Sequence, residues 1–241
     1  MSLVLCYLIV IFSVGDRWMK NNLRIIIQLI FGIWKSFVFN FHYFPLKQAI
    51  KFPVIISSNC KLDTLHGKCY IDAPVKTGMV LFGVGPSGLF DHRVDKSLLC
   101  LTSGGELHFK GNARFGPGTR IINNGKMIIG NNFTITGSTK IICSKAISFG
   151  NDVLISWDVL IMDKDYHKIV YKDHESEMCK PITIGNHVWI GCKSCVLKGS
   201  VIGNDSVVAA MTRVNTHFYD SNCLLAGIPG RIVKNNISWK R

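Results

Sequence analysis

The chain has 241 residues, 48% of them apolar and 18% charged, with a formal net charge of +13. That length suits one large domain with an appendage, and the composition is too apolar and too weakly charged for a disordered chain. Glycine has no three-residue period, which excludes collagen, and nine scattered cysteines exclude a disulfide-stapled scaffold, leaving reduced thiols and a cytoplasmic setting.

The charge sits at the two ends. Residues 1–52 hold six Lys/Arg against the single Asp16, and residues 223–241 hold four Lys/Arg and no acid. The body between them is nearly balanced, so a nucleic-acid binder is disfavoured and an anionic small molecule or a membrane surface is the expected counterpart.

Residues 3–14 (LVLCYLIVIFSV) form an apolar run too short to span a bilayer as a helix, and its flanks do not suit a secretory signal. Residues 23–41 mix Ile, Leu, Phe and Trp34 with Arg24 and Lys35, the composition of a helix lying along a membrane surface. Two alternatives stand beside that reading. The segment would cap the open end of the main domain, or the natural start would be Met19 and residues 3–14 would not belong to the functional chain. Residues 1–52 are thus read as an apolar, basic and helical segment. Residues 76–100, with Gly78, Gly83, Gly85 and Gly88, are either a loop over an acceptor site or an irregular first coil.

From residue 109 a six-residue period sets in. Apolar anchors fall at Phe109, Phe115, Ile121, Ile129, Ile135, Ile141, Phe149, Ile155 and Ile161, and resume at Ile184, Ile190, Val196, Ile202, Val208 and Val214. Small or β-branched residues follow four positions on, among them Thr119, Thr139, Val153, Ser194 and Thr212. A helix would spread a period of six over all its faces. A solenoid of three short strands per coil uses it directly, with the anchors stacked in a narrow interior. Glycine follows the anchor at Gly116, Gly130, Gly150, Gly185, Gly191 and Gly203, where a sharp bend or positive φ is expected. Every third step is eight, as if one corner of each coil bulged by two residues.

This pattern resembles the hexapeptide-repeat acyltransferases. The resemblance rests on residues 182–214 (ITIGNHVWIGCKSCVLKGSVIGNDSVVAAMTRV) and on residues 226–234 (AGIPGRIVK), which look like the family's closing motif. It covers residues 105–235 well and residues 54–104 weakly. It implies a left-handed parallel β-helix over residues 53–222, followed by a tail over residues 223–241. The implied activity is transfer of an acetyl or other short acyl group from acyl-CoA to a hydroxyl, without metal, in a homotrimer. A sugar or polysaccharide acceptor fits a stand-alone chain with this N-terminus. The alternatives are a non-catalytic β-helix subunit and a metal-dependent hydratase on the same fold, although His108, His167 and His187 do not have the hydratase spacing.

Between Ile161 and Ile184 the step is 23, so residues 163–181 are an insertion. Asp163-Lys164-Asp165-Tyr166-His167 resembles the family's catalytic stretch, which makes His167 the general base and Asp163 or Asp165 its orienting acid. His174 is read as surface and His187 as supporting. By the same resemblance Trp189, Gly191 and Cys192 lie near the thioester, with the amide of Gly191 or Cys192 as oxyanion donor. Ala209, Ala210 and Thr212 would pass the pantetheine arm, although Met211 stands where relatives commonly have glycine. Lys198, Arg231 and Lys234 would meet the phosphates. Cys192 and Cys195 form a C-x-x-C without a second ligand pair and are read as ordinary coil residues.

Overall fold

A computed structural model describes residues 23–85, 90–91 and 94–241. The apolar run of residues 3–14, Met19, Gly88 and His92 lie outside the described residues. The chain winds as a three-sided prism with one nine-stranded sheet (face A) and two seven-stranded sheets (faces B and C). Each coil contributes one strand to each face. The first comprises Val54–Ile56, Cys60–Leu65 and Lys68–Ile71, and the seventh Val207–Val208, Arg213–Val214 and His217–Phe218. The coil-to-coil pairings are parallel and keep register, save for one shift between Leu62 and Leu65 where the first coil meets the second on face B.

The fifteen anchors of the six-residue period line the interior, every one at 2% exposure or less. Thr119, Thr139, Val153, Ser194 and Thr212 are buried beside them. Residues 54–104, where the resemblance is weak, are coiled on the same three faces, with Val80–Phe82 paired to Val54–Ile56 and Ser97–Leu101 paired to Cys60–Leu65. Within residues 76–100, Val80–Phe82 and Ser97–Leu101 therefore belong to the second coil, which Glu106–Phe109 completes on face C.

The glycines after the anchors work differently from the expectation. At Gly130 an added Cβ would lie 2.1 Å from the carbonyl oxygen of Gly150 on the next coil, so glycine is there to let the coils stack closely. The positive φ falls two residues later, at Asn132, Asp152, His187 and Asp205 on the C–A edge. Asn and Asp tolerate that conformation best among non-glycine residues. Along the same edge each asparagine side chain accepts the backbone N–H of the coil before it, Asn131 from Asn112, Asn151 from Asn131, and Asn186 from Asn151.

Helix α1 (Leu23–Tyr43) ends just before Pro45 and the short α2 (Leu46–Ala49) follows. One face of α1 seals the first coil. Ser36 Oγ accepts the N–H of Ile56, Asn40 bonds both the N–H and C=O of Val54, and Lys35 donates to the carbonyls of Ser58 and Cys60. These side chains satisfy an edge strand that would otherwise be open to pairing. Of the readings of residues 23–41, capping holds for this face. The opposite face leaves Phe31 72% and Trp34 68% exposed. Among the described residues no helix is long and apolar enough to cross a membrane.

Residues 223–241, expected as a tail, begin inside the prism. Leu224–Ala226 adds to face A, and Arg231–Lys234 turns back antiparallel on it.

Candidate functional site

The eight-residue steps fall at the B–C edge, and the insertion of residues 163–181 leaves the prism at that same edge. Asp163 roots it. The register continues the column of Asn123 and Cys143, so the Asp163 side chain points inward and is fully buried. One carboxylate oxygen accepts the N–H of Ser144 (2.7 Å), and the other those of Lys145 and Ala146 (both 2.8 Å). Both oxygens are thereby committed to the neighbouring turn.

Beyond Asp163 the insertion doubles back as a two-armed projection. Lys164 bridges Cys179, the Asp165 N–H meets the Met178 carbonyl, and Val170 bridges Glu175. Lys168 pairs with Glu175, and Tyr171 stacks on His174 near the tip. His167 lies on this arm, exposed, and no hydrogen bond or ion pair holds its ring among the described residues. Asp165 pairs instead with Lys198 at 2.5 Å, and the same ammonium reaches the Glu177 carbonyl. Lys198, expected at a phosphate, is therefore a brace across the root of the arm. Neither acid touches His167; apo geometry of this kind often tightens only with substrate.

The other expected residues lie elsewhere. Gly191, Cys192, Ala209, Ala210 and Thr212 gather at the A–B edge of the sixth and seventh coils, with Ala210 stacked directly on Gly191. The Gly191 N–H donates to the Val208 carbonyl at 2.7 Å, so it is spent in the ladder. The Cys192 N–H finds no acceptor among the described residues. The Thr212 hydroxyl is buried there without a partner. Small side chains and an unpaired amide along one edge suit an extended polar arm such as pantetheine. Met211 is exposed at φ 60, a second departure at a position suited to glycine.

Trp189 stands on face A with its indole N–H on Ser156 Oγ (3.1 Å). Arg231 and Lys234 are exposed on the closing strand. The full width of face B separates the A–B edge from the arm that carries His167. Within one chain the expected base and the expected donor-binding residues do not meet.

His187 makes a 3.0 Å contact to Asp205 and lies flat against Trp239, with ring centroids 4.3 Å apart at 8°. Trp239 also donates to the His187 carbonyl, and Arg241 bonds the side chain and carbonyl of Asn132 and the carbonyl of Val153. Sequence reasoning passed over Trp239 and Arg241; their only signal was the basic C-terminus. His108 is held by Asp72 and stacked on Tyr70, remote from His167 and His187 in the fold. Among the described residues no group of three His, Cys, Asp or Glu side chains could hold a metal ion.

Residues 181–216 match the family model for the bacterial transferase hexapeptide (six repeats). An uncharacterised 24.8 kDa protein in the cps region of Klebsiella pneumoniae is 36% identical over 151 residues, covering 62% of this chain and 68% of its own. The polysialic acid O-acetyltransferase of Escherichia coli O1:K1 / APEC is 33% identical over 119 residues, covering 48% of this chain but only 38% of its own. The crystal structure of the polySia-specific acetyltransferase NeuO superposes with a TM-score of 0.51 at 22% identity, over 76% of this chain and 82% of that one. That likeness shows a common fold, the left-handed parallel β-helix.

Proposed function

This chain belongs to the hexapeptide-repeat transferase family, and on that premise we propose that it moves an acetyl or other short acyl group from acyl-CoA to a hydroxyl of a sugar or polysaccharide. The observation that carries the reading is the exposed imidazole of His167, on an arm braced to a rigid coil by Asp165 and Lys198. In this reading His167 takes the hydroxyl proton as the acceptor oxygen attacks the thioester carbonyl, and returns it to the departing thiolate. The Cys192 amide donates to the carbonyl oxygen as charge builds on it. The small residues Ala209 and Ala210 let the donor's arm lie close along the A–B edge beside Gly191 and Thr212, with Trp189 on the adjoining face. Arg231 and Lys234 are the cations left for its phosphates, since Lys198 is engaged by Asp165.

Because the arm and the A–B edge are a face apart, the reading needs a second copy to bring His167 against a donor site. A homotrimer supplies that arrangement three times. Residues 53–222 are the transferase body in this proposal. Within the N-terminal segment, residues 23–52 are a cap that in this proposal also rests on the cytoplasmic surface of a membrane. Phe31 and Trp34 face outward there, and no acid falls between Asp16 and Asp63 while seven Lys/Arg do, which suits anionic lipid. Residues 223–241 close the prism.

The test is an acetyl-CoA transfer assay against oligosaccharides and nucleotide sugars, run beside His167→Ala. Retention of full rate by that variant with the best acceptor overturns the assignment.

A further inference from the structure

The outer side of face A carries one outward residue per coil in continuous register: Ile55, Leu81, Arg114, Thr134, Leu154, Trp189, Val207 and Leu224. Arg114 is the one charged residue in that column. Both ends of the face are covered. Helix α1 lies over Ile55, and the C-terminal segment lies at the other end with Trp239 beside Trp189. That segment finishes at Arg241, whose guanidinium is clamped to Asn132 and Val153.

Between the two covers runs an open groove. A cavity of about 490 Å³ is lined by Lys76, Arg114, Thr134 and Arg241. It continues through Arg114 and Thr134 into a second of about 280 Å³ beside Gly116 and Thr136. On the other side it continues through Lys76 and Asn112 into a third of about 580 Å³. The groove thus crosses the whole face from the A–B edge to the C–A edge. Its length suits a chain of linked sugars better than a single small molecule.

The electrostatics favour an anion in its middle. Burial holds both guanidiniums below the ordinary arginine range. For Arg241 the Asp152 carboxylate opposes that fall, and repulsion from Arg114 adds to it. Two like charges sharing one partly buried cleft, with Lys76 beside them, gain most from a bridging oxyanion.

We infer that this groove binds an acidic glycan, with a carboxylate or phosphate of the chain seated between Arg114 and Arg241. The inference deepens the acyl-transfer reading and rests on it for the role of acceptor.

Isothermal titration of the whole chain at low salt tests it with three probes: hexagalacturonate, maltohexaose of equal length without charge, and inorganic phosphate. Hexagalacturonate binds saturably, and maltohexaose binds roughly tenfold more weakly or less, the loss expected when charge-assisted hydrogen bonds are absent. Arg241→Gln and Lys76→Gln each weaken hexagalacturonate severalfold with an unchanged melting temperature. Arg241→Gln is the deciding variant, because Arg114→Gln risks the fold. Equal affinity for the two hexamers, no saturable binding of hexagalacturonate, or full affinity in folded Arg241→Gln overturns the inference. Tight phosphate binding that hexagalacturonate fails to displace also overturns it, assigning the pocket to a free anion. Acetyl-CoA affinity measured on the same samples separates the two claims. A silent groove with acetyl-CoA binding intact removes only the glycan site, and the reverse removes only the transferase reading.

Discussion

The carboxylate of Asp165 and the ammonium of Lys198 meet at 2.5 Å across the root of the projecting arm. Their side chains are 43% and 20% exposed, so the pair contributes at most about 1 kcal/mol to stability and its effect lies in aim. Lys198→Met is expected to leave the denaturation midpoint nearly unchanged. Transfer would still slow by about 10- to 100-fold, the scale of a misplaced catalytic group. Faster proteolytic nicking within residues 163–181, with an unshifted pH–rate profile, marks the loss as one of positioning.

His167→Ala removes an exposed ring that holds nothing in place, so the variant should fold as well as the parent chain. Its turnover is expected to fall by about 10²–10⁴-fold, the usual contribution of a general base. Steady-state transfer rates beside a thermal melt give both numbers.

Asp163→Ala should behave in the opposite way. It strips the acceptor from the amides of Ser144, Lys145 and Ala146 at once. A loss of about 2–4 kcal/mol is expected, since each stranded amide carries its own desolvation cost. Urea titration reads it. An Asp163→Ala protein with native stability and abolished transfer would return Asp163 to the role of orienting acid.

The stability of the fold should decline in alkali. Burial pushes the Cys60 thiol up to about 12, against a smaller opposing pull from Lys35, and burial also raises Cys69 and Cys143. In the unfolded chain these thiols ionise near their ordinary value, so above about pH 8.5 the unfolded state binds fewer protons than the folded one. Their contribution is intact below that pH and is lost as pH rises, by about 1.4 kcal/mol per pH unit for each such thiol. Denaturant titrations from pH 7 to 10 test the slope. Alkylation at pH 8 should reach the half-exposed Cys179, Cys192 and Cys195 and spare Cys60, Cys69 and Cys143.

Phe31→Asp with Trp34→Asp introduces charge on the outward side of α1 without touching Ser36 or Asn40, so the cap over the first coil persists. Co-sedimentation with phosphatidylglycerol vesicles is expected to drop at least severalfold, with an unchanged melt. Equal sedimentation of parent and variant would remove the membrane proposal.

Much of the prism was legible because its interior is a one-dimensional pattern. Phe109 to Val214 announce their column by spacing alone, and each of them is buried where that spacing put it. The first two coils were less visible because residues 72–79 and 83–96 lengthen their connections and break the count, although Val54, Phe82 and Leu99 serve the same interior. The glycines were found and their reason was not. A stacking distance such as 2.1 Å from a would-be Cβ at Gly130 belongs to two coils together, whereas φ belongs to one residue.

By itself the amino-acid order determined the six-residue coil, the place where it is interrupted, and the chemical types on the interruption, because stacking in a solenoid depends on near neighbours. Only the folded chain decided which acid does what. Asp163 falls in an inward column and is consumed by three amides, while Asp165 reaches a lysine 33 positions away. It also decided that His167 and the A–B edge stand a face apart, and that Arg241 comes to rest beside Arg114. Such pairings join residues far apart in sequence, and the winding of the coils alone sets the distance between them.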